Sequence, residues 1–155
     1  MSSKKLLEWS NKEYGHLPWR INRSPYSTMV SEFMLQQTTV ATVLGKFTLF
    51  MEKFPSLESL AKASEEEVMA MWSGLGYYRR ARNLKASAHY FWYHYQTIPD
   101  NRSLLLSSKG IGDYTAHAIL ALGFQQPFLA VDANIDRVLS RYYLSQSVQP
   151  KKRAL

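Results

Sequence analysis

The sequence predicts an all-α protein. Apolar residues recur at helical spacing along most of the 155 residues, no two segments read as paired strands, and the breaks between segments carry helix-capping and turn residues. About eight to ten short helices account for the pattern. With 46% hydrophobic and 20% charged residues, the chain has enough apolar material for one real core, which separates it from disordered sequences.

Lys4 to Tyr14 reads as a short helix. Leu17-Pro18-Trp19-Arg20 and Arg23-Ser24-Pro25 read as loop, because proline biases the residue before it away from helix. A helix starts near Pro25, whose fixed φ suits a first helical position, carries Glu32 and ends near Gln37 or Thr38. The next, Val40 to Lys53, stops at Phe54-Pro55. Ser56-Leu57-Glu58-Ser59 opens a short helix. Ser64-Glu65-Glu66-Glu67 is a capping box for a helix reaching Trp72. Ser73-Gly74-Leu75-Gly76 is a turn, and Tyr78 to Tyr95 is a long helix ended by Pro99-Asp100. Its aromatic run, Tyr90-Phe91-Trp92-Tyr93-His94-Tyr95, is assigned to packing. Asn101 to Ser107 is a short helix, Gly110-Ile111-Gly112 a tight turn, and Asp113 to Leu122 helix again. Ala130-Val131 is extended, and Asp132 opens a last helix through Tyr142.

Lysine and arginine outnumber acids 19 to 12, a balance that suits a polyanionic partner and equally a merely soluble basic protein. No cysteine is present, which excludes disulfides and thiolate chemistry within these residues. The four histidines have no metal-ligand spacing, so no metal site is expected. There is no signal-type N-terminus and no apolar run of membrane-spanning length, so a cytoplasmic protein without a membrane partner is expected.

Three segments carry candidate chemistry. In Val30-Ser31-Glu32-Phe33-Met34-Leu35-Gln36-Gln37, one carboxyl group sits among apolar side chains. Such surroundings raise a carboxyl pKa, as a general acid near neutral pH requires. The segment alone is also compatible with a half-exposed helical Glu covering a core edge. In Ser108-Lys109-Gly110-Ile111-Gly112-Asp113-Tyr114, Gly110 and Gly112 permit positive φ, and the following helix directs N–H groups at the turn. Together with Lys109 this suits a phosphate backbone, and an ordinary helix–turn–helix corner fits as well. Asp132 is a helix N-cap that would stay ionised, a fixed negative charge able to face a developing cation.

Five segments taken in order resemble the helix–hairpin–helix glycosylase superfamily, specifically adenine DNA glycosylases of the MutY type. They are Leu17-Pro18-Trp19-Arg20, Ser31 to Thr38, Trp72 to Leu84, the hairpin at Gly110 to Ala116, and Val131-Asp132-Ala133-Asn134-Ile135-Asp136-Arg137-Val138. The resemblance implies an enzyme that removes adenine mispaired with 8-oxoguanine or guanine in double-stranded DNA, as a monomer. Glu32 matches the family's catalytic Glu, Asp132 its catalytic Asp and Asn134 an active-site Asn. Tyr114 stands where bifunctional relatives carry a nucleophilic Lys, which argues against an endonuclease III-like bifunctional glycosylase, the less favoured alternative. Gln37 and Tyr78 match residues inserted into the DNA stack, while Arg20 and Leu35 line the adenine pocket. Arg79, Arg80 and Arg82, with Lys109, Gly110 and Gly112, are expected on the DNA backbone.

The resemblance also implies a layout. Residues 25–126 form a six-helix barrel containing the helix–hairpin–helix, and 1–24 with 127–155 form part of a second helical domain. Family members continue into a four-cysteine [4Fe–4S] segment and a domain that reads 8-oxoguanine. Neither is expected here, so a truncated homologue of impaired catalysis, or the first part of a longer protein, is the alternative reading. Lys109 replaces the usual hairpin Pro, and the helix after Asp132 is expected to expose apolar surface.

Overall fold

The structure, a computed structural model, describes residues 3–143, and every regular element among them is a helix. Helix α1 spans Ser3–Tyr14. The segment expected as loop forms a one-turn helix, α2 (Pro18–Ile21). Leu17 stays extended at φ −66° and ψ 132°, as a residue before proline prefers, and Pro18 takes the first helical position, where its missing N–H costs nothing. Proline therefore starts this turn instead of forbidding it. It buries Trp19 edge-on against Phe47, with ring centroids 5.3 Å apart.

Helix α3 (Pro25–Leu35) is the central element. Ser24 and Ser27 cap each other's backbone N–H, fixing its start. Met29, Val30, Phe33 and Met34 are fully buried, so the helix is apolar on most of its circumference, as an enclosed helix must be. Each of these side chains contributes roughly 1.5–3 kcal/mol of burial. Around it pack α4 (Val40–Lys53), α7 (Arg79–Tyr95), α9 (Asp113–Ala118) and a π-helical turn (Ile119–Gly123).

Helices α5 (Leu57–Lys62) and α6 (Glu65–Trp72) each begin with a capping box, at Ser56 and Ser64. Trp72 is fully buried, and its indole N–H donates to the Gly76 carbonyl at 3.2 Å, which folds the following turn back on α6. Helix α8 (Arg102–Leu106) is capped by the Asn101 side chain. The predicted continuous helix after Asp113 widens at Ile119 into the π turn. Gly123 ends that turn against α3, where a Cβ would lie 2.7 Å from Pro25 Cα. The last helix among the described residues, α10, is Ala133–Tyr143.

The aromatic run on α7 divides. Phe91 is fully buried, whereas Tyr93 is 57% exposed and stacks on His89, so only part of the run belongs to the core. Helical periodicity makes a residue at every third or fourth position face inward, and the remainder face outward. On α10, Ile135, Val138 and Tyr142 are exposed, the apolar surface expected there. Among the described residues no helix is long and apolar enough to cross a membrane. Residues 144–155 of the expected second helical domain lie outside the described residues.

Candidate active site

Three side chains separated in sequence meet at one place. Glu32 comes from the last turns of α3, Tyr114 from the first turn of α9, and Asp132 from the start of α10. Each acts on the electrostatics of the others. Burial pushes the Glu32 carboxyl up to about 7, the nearby Asp132 charge pushes the same way, and a hydrogen bond with the Tyr114 side chain opposes both. Tyr114 is pushed up to about 12 by its own burial and then by Glu32 and Asp132.

Asp132 is set in the opposite direction. Its Oδ1 accepts from the backbone N–H of Ile135 at 2.8 Å and of Asn134 at 3.0 Å, and its Oδ2 accepts from Asn134 Nδ2 at 3.1 Å. The Ile135 amide is the largest influence holding this carboxyl below its ordinary value, followed, against the opposing cost of burial, by the Asn134 contacts. Capping therefore keeps the anion. Near pH 7 the site holds one carboxyl group that is protonated roughly half the time beside one that is fully ionised. Two carboxyl groups driven apart in acidity divide the roles of proton donor and fixed anion.

The segment delivering Asp132 is tied down at several points. The Gln126 side chain donates to the Asp100 carbonyl at 3.1 Å, and the Gln126 backbone N–H donates to Leu120 O at 2.9 Å. Phe128 stacks on His117 with centroids 5.2 Å apart. His117 Nε2 in turn accepts from Arg102 Nε at 3.1 Å, and Arg102 pairs with Asp113 at the start of α9. Arg137, which sequence reasoning did not single out, donates to Asn134 Oδ1 at 2.9 Å and so fixes the amide that holds Asp132. Its spacing, one helical turn beyond Asn134, was the available signal.

The hairpin is fastened to α7. Ser108 Oγ donates to Ser87 Oγ at 2.9 Å, and Ser87 Oγ donates to the Lys109 carbonyl at 3.1 Å. Gly110 has φ +92°, and a Cβ there would meet Asn83 Cβ at 2.6 Å, so conformation and space both demand glycine. Gly112, expected to use the same freedom, is instead extended at φ −97° and ψ 179°, with open space where a Cβ would stand. The reversal needs one left-handed residue, and Gly110 supplies it.

Gln37 and Tyr78 lie on two surface loops and are both exposed. Arg79 is exposed, and Lys109 keeps an exposed side chain beside the hairpin. Arg82 is exposed but pairs with Glu65 at 2.8 Å. Arg80 corrects the expectation of a backbone contact: it is 7% exposed, and its guanidinium donates inward to carbonyl groups of the protein. A basic helix start looks alike in sequence whether its arginines face solvent or the core, so this separation required the structure. Leu35 ends α3, partly buried against the core and one turn beyond Glu32. Arg20 donates to Ser10 Oγ at 2.9 Å and lies over the Tyr14 ring. It lines a polar recess of about 410 Å³ with Asn11, Gly15, Ile21, Arg23 and Gln125.

Residues 30–155 match the model of the HhH-GPD superfamily base excision DNA repair proteins. The chain belongs to the HhH-GPD superfamily. Adenine DNA glycosylase of Buchnera aphidicola subsp. Baizongia pistaciae is 42% identical over 141 residues, 89% of this chain and 40% of that protein. Human adenine DNA glycosylase is 43% identical over 148 residues, 88% of this chain and 27% of its own length. This superfamily member thus spans less than half the length of the curated relatives it matches. Among solved structures, a thermostable thymine-DNA glycosylase aligns with a TM-score of 0.82 at 30% identity, covering 92% of this chain and 66% of that one. An endonuclease III in a DNA complex aligns at 0.74 and 22% identity, covering 96% and 73%, a likeness of fold. The all-α helix–hairpin–helix glycosylase fold read from the sequence is the fold of this superfamily member.

Proposed function

We propose that this chain carries the catalytic centre of an adenine DNA glycosylase of base excision repair, acting on adenine mispaired with 8-oxoguanine or guanine in duplex DNA. The observation that carries the reading is the pair of carboxyl groups meeting at Tyr114, one raised toward neutrality by burial and one held ionised by a helix start. The names of its relatives supply the base, and the family supplies the repair pathway.

Adenine is a poor leaving anion, so the glycosidic bond needs a proton on the ring as it breaks. Glu32, protonated about half the time near pH 7, supplies that proton, a contribution of roughly 10²–10⁴ in rate. As the bond lengthens the sugar becomes oxocarbenium-like. The Asp132 carboxylate, already anionic and oriented by Asn134, stabilises that cation without reorganising. The arrangement parallels the paired carboxyl groups of glycoside hydrolysis, and water completes the displacement. Tyr114 brings a phenol hydroxyl where a lyase would need an amine, so no Schiff base forms at this position and the reaction stops at the abasic site.

The base must first leave the stack. Gln37 and Tyr78, exposed on adjacent loops, fill the gap it leaves. Arg79, Lys109 and the Gly110 turn contact phosphates, with Arg82 joining once its pairing with Glu65 yields. Arg20 and Leu35 border the base. A barrel over residues 25–126 flanked by 1–24 and 127–155 is the layout this function would use. These 155 residues contain no thiolate for an iron–sulfur cluster, so cysteine ligands to one would have to come from elsewhere.

The test is single-turnover release of adenine from an A:8-oxoguanine duplex by the 155-residue chain, read as alkali-labile abasic sites. Product is expected from the wild type and lost in Glu32→Gln. No product from folded wild-type protein at saturating concentration refutes the reading.

A further inference from the structure

Arg80 is the second residue of α7, yet it points into the protein. Its Nη1 donates to the carbonyls of Phe33 at 3.1 Å and Met34 at 2.7 Å, and closely to that of Gln36. Its Nη2 donates to the carbonyls of Leu75 at 3.0 Å and Gly76 at 3.1 Å. The first three acceptors belong to the end of α3, and the other two belong to the turn before α7. One planar guanidinium thus bridges two chain segments 40 residues apart in sequence, a geometry that only arginine's rigid fork provides. Trp72 and Tyr77 hold the plane from their rings, with centroids 5.5 and 5.6 Å away.

The bridged atoms adjoin two strained residues. Gln36 precedes Gln37, at φ 55°, and Gly76 precedes Tyr77, at φ 47°. Neither is glycine, and such backbone persists only when its surroundings determine it. The same two loops present Gln37 and Tyr78 to solvent. Five carbonyls converging on one buried cation constrain both loops at once.

We propose that Arg80 is a positioning residue that locks the Gln37 loop and the Tyr77–Tyr78 loop into one rigid unit, fixing the separation of the two side chains offered to DNA. The locking is a property of the protein alone. Its consequence, that both loops enter an opened duplex together, rests on the glycosylase reading.

Arg80→Lys keeps the charge and most of the stem but cannot serve both sets of carbonyls. In free protein, the hydrogen-bonded amides of Gln36 and Thr38 should exchange at least ~10-fold faster together with that of Leu75, while Val30 and Phe33 exchange as before. Acceleration in neither loop, in one loop only, or uniformly along the chain overturns the proposal. Should Arg80→Lys not fold, Tyr77→Ala removes a ring flanking the guanidinium, and faster exchange at the hydrogen-bonded Thr38 amide is expected. Unchanged exchange there overturns the locking.

On a duplex carrying 2-aminopurine opposite guanine, wild-type protein should raise the fluorescence as the base leaves the stack. Arg80→Lys should weaken that extrusion ~10-fold with an unchanged salt slope of duplex binding. A slope reduced by about one makes Arg80 a phosphate contact and overturns the proposal. Coupled exchange without extrusion by the wild type leaves the locking standing and counts against the glycosylase reading.

Discussion

Replacing Glu32 by Gln should stabilise the protein, and the gain should depend on pH. The carboxyl moves from an ordinary value of 4.5 to about 7 on folding, chiefly because burial disfavours its anion. The native state therefore binds the proton more tightly than the unfolded chain. Below pH 4.5 both states are protonated and the carboxyl costs nothing. Between pH 4.5 and 7 the unfolded chain ionises first, and stability falls. Above pH 7 both are ionised and the full penalty is present. Each tenfold change in acidity is worth about 1.4 kcal/mol, so the limit is ~3 kcal/mol, and partial exposure of the side chain reduces it to about 2 kcal/mol. Glutamine keeps the shape and never ionises. Urea unfolding at pH 4, 6 and 8 should show the variant level with the wild type at pH 4 and about 2 kcal/mol more stable at pH 8, while adenine release is lost. An equal difference at all three pH values would refute the burial argument, because a lost packing contact has no reason to titrate. The activity of the wild type follows the same group: the acid must hold its proton, so the single-turnover rate should decline as pH rises through about 7.

Asp132→Asn should retain the helix start, since asparagine also caps, and shift the melting temperature by no more than a few degrees. Its single-turnover rate should nevertheless fall ~10²-fold or more, the usual loss when one preorganised electrostatic stabiliser is removed. Arg137→Ala frees the Asn134 amide, and a rate loss of roughly tenfold with unchanged duplex affinity is expected in the same assay. Gly110→Ala should destabilise by ~2 kcal/mol or more in urea, combining a disfavoured φ with the clash at Asn83, whereas Gly112→Ala should be neutral or stabilise by ~0.5 kcal/mol. Borohydride treatment of a reacting mixture should trap no protein–DNA adduct with Tyr114 in place, and Schiff-base chemistry would require such an adduct.

What could be read in advance divides along a physical line. Helix starts were legible because capping is local: Ser64 with Glu67, and Asp132 with the amides after it, specify their ends from a few adjacent residues. The end of α3 lies two or three residues before the position the sequence suggests, and there Arg80 reaches back across the core to the carbonyls of the last turn. Glu32 and Asp132 could be nominated from their neighbours, since an apolar flank and a helix start each imply the direction of a pKa shift. That they meet at Tyr114 depends on the π turn and the Gln126 and Phe128 anchors, which act over distances no local pattern encodes. Arg79, Arg80 and Arg82 make the point most sharply. Three like side chains within four positions receive three environments, one open, one buried among carbonyls and one paired with Glu65. Helical geometry turns successive residues by about 100°, so neighbours in sequence face different surroundings. A run of basic residues therefore specifies a charge density, and the packing of α7 against α3 decides how much of that charge can reach a phosphate.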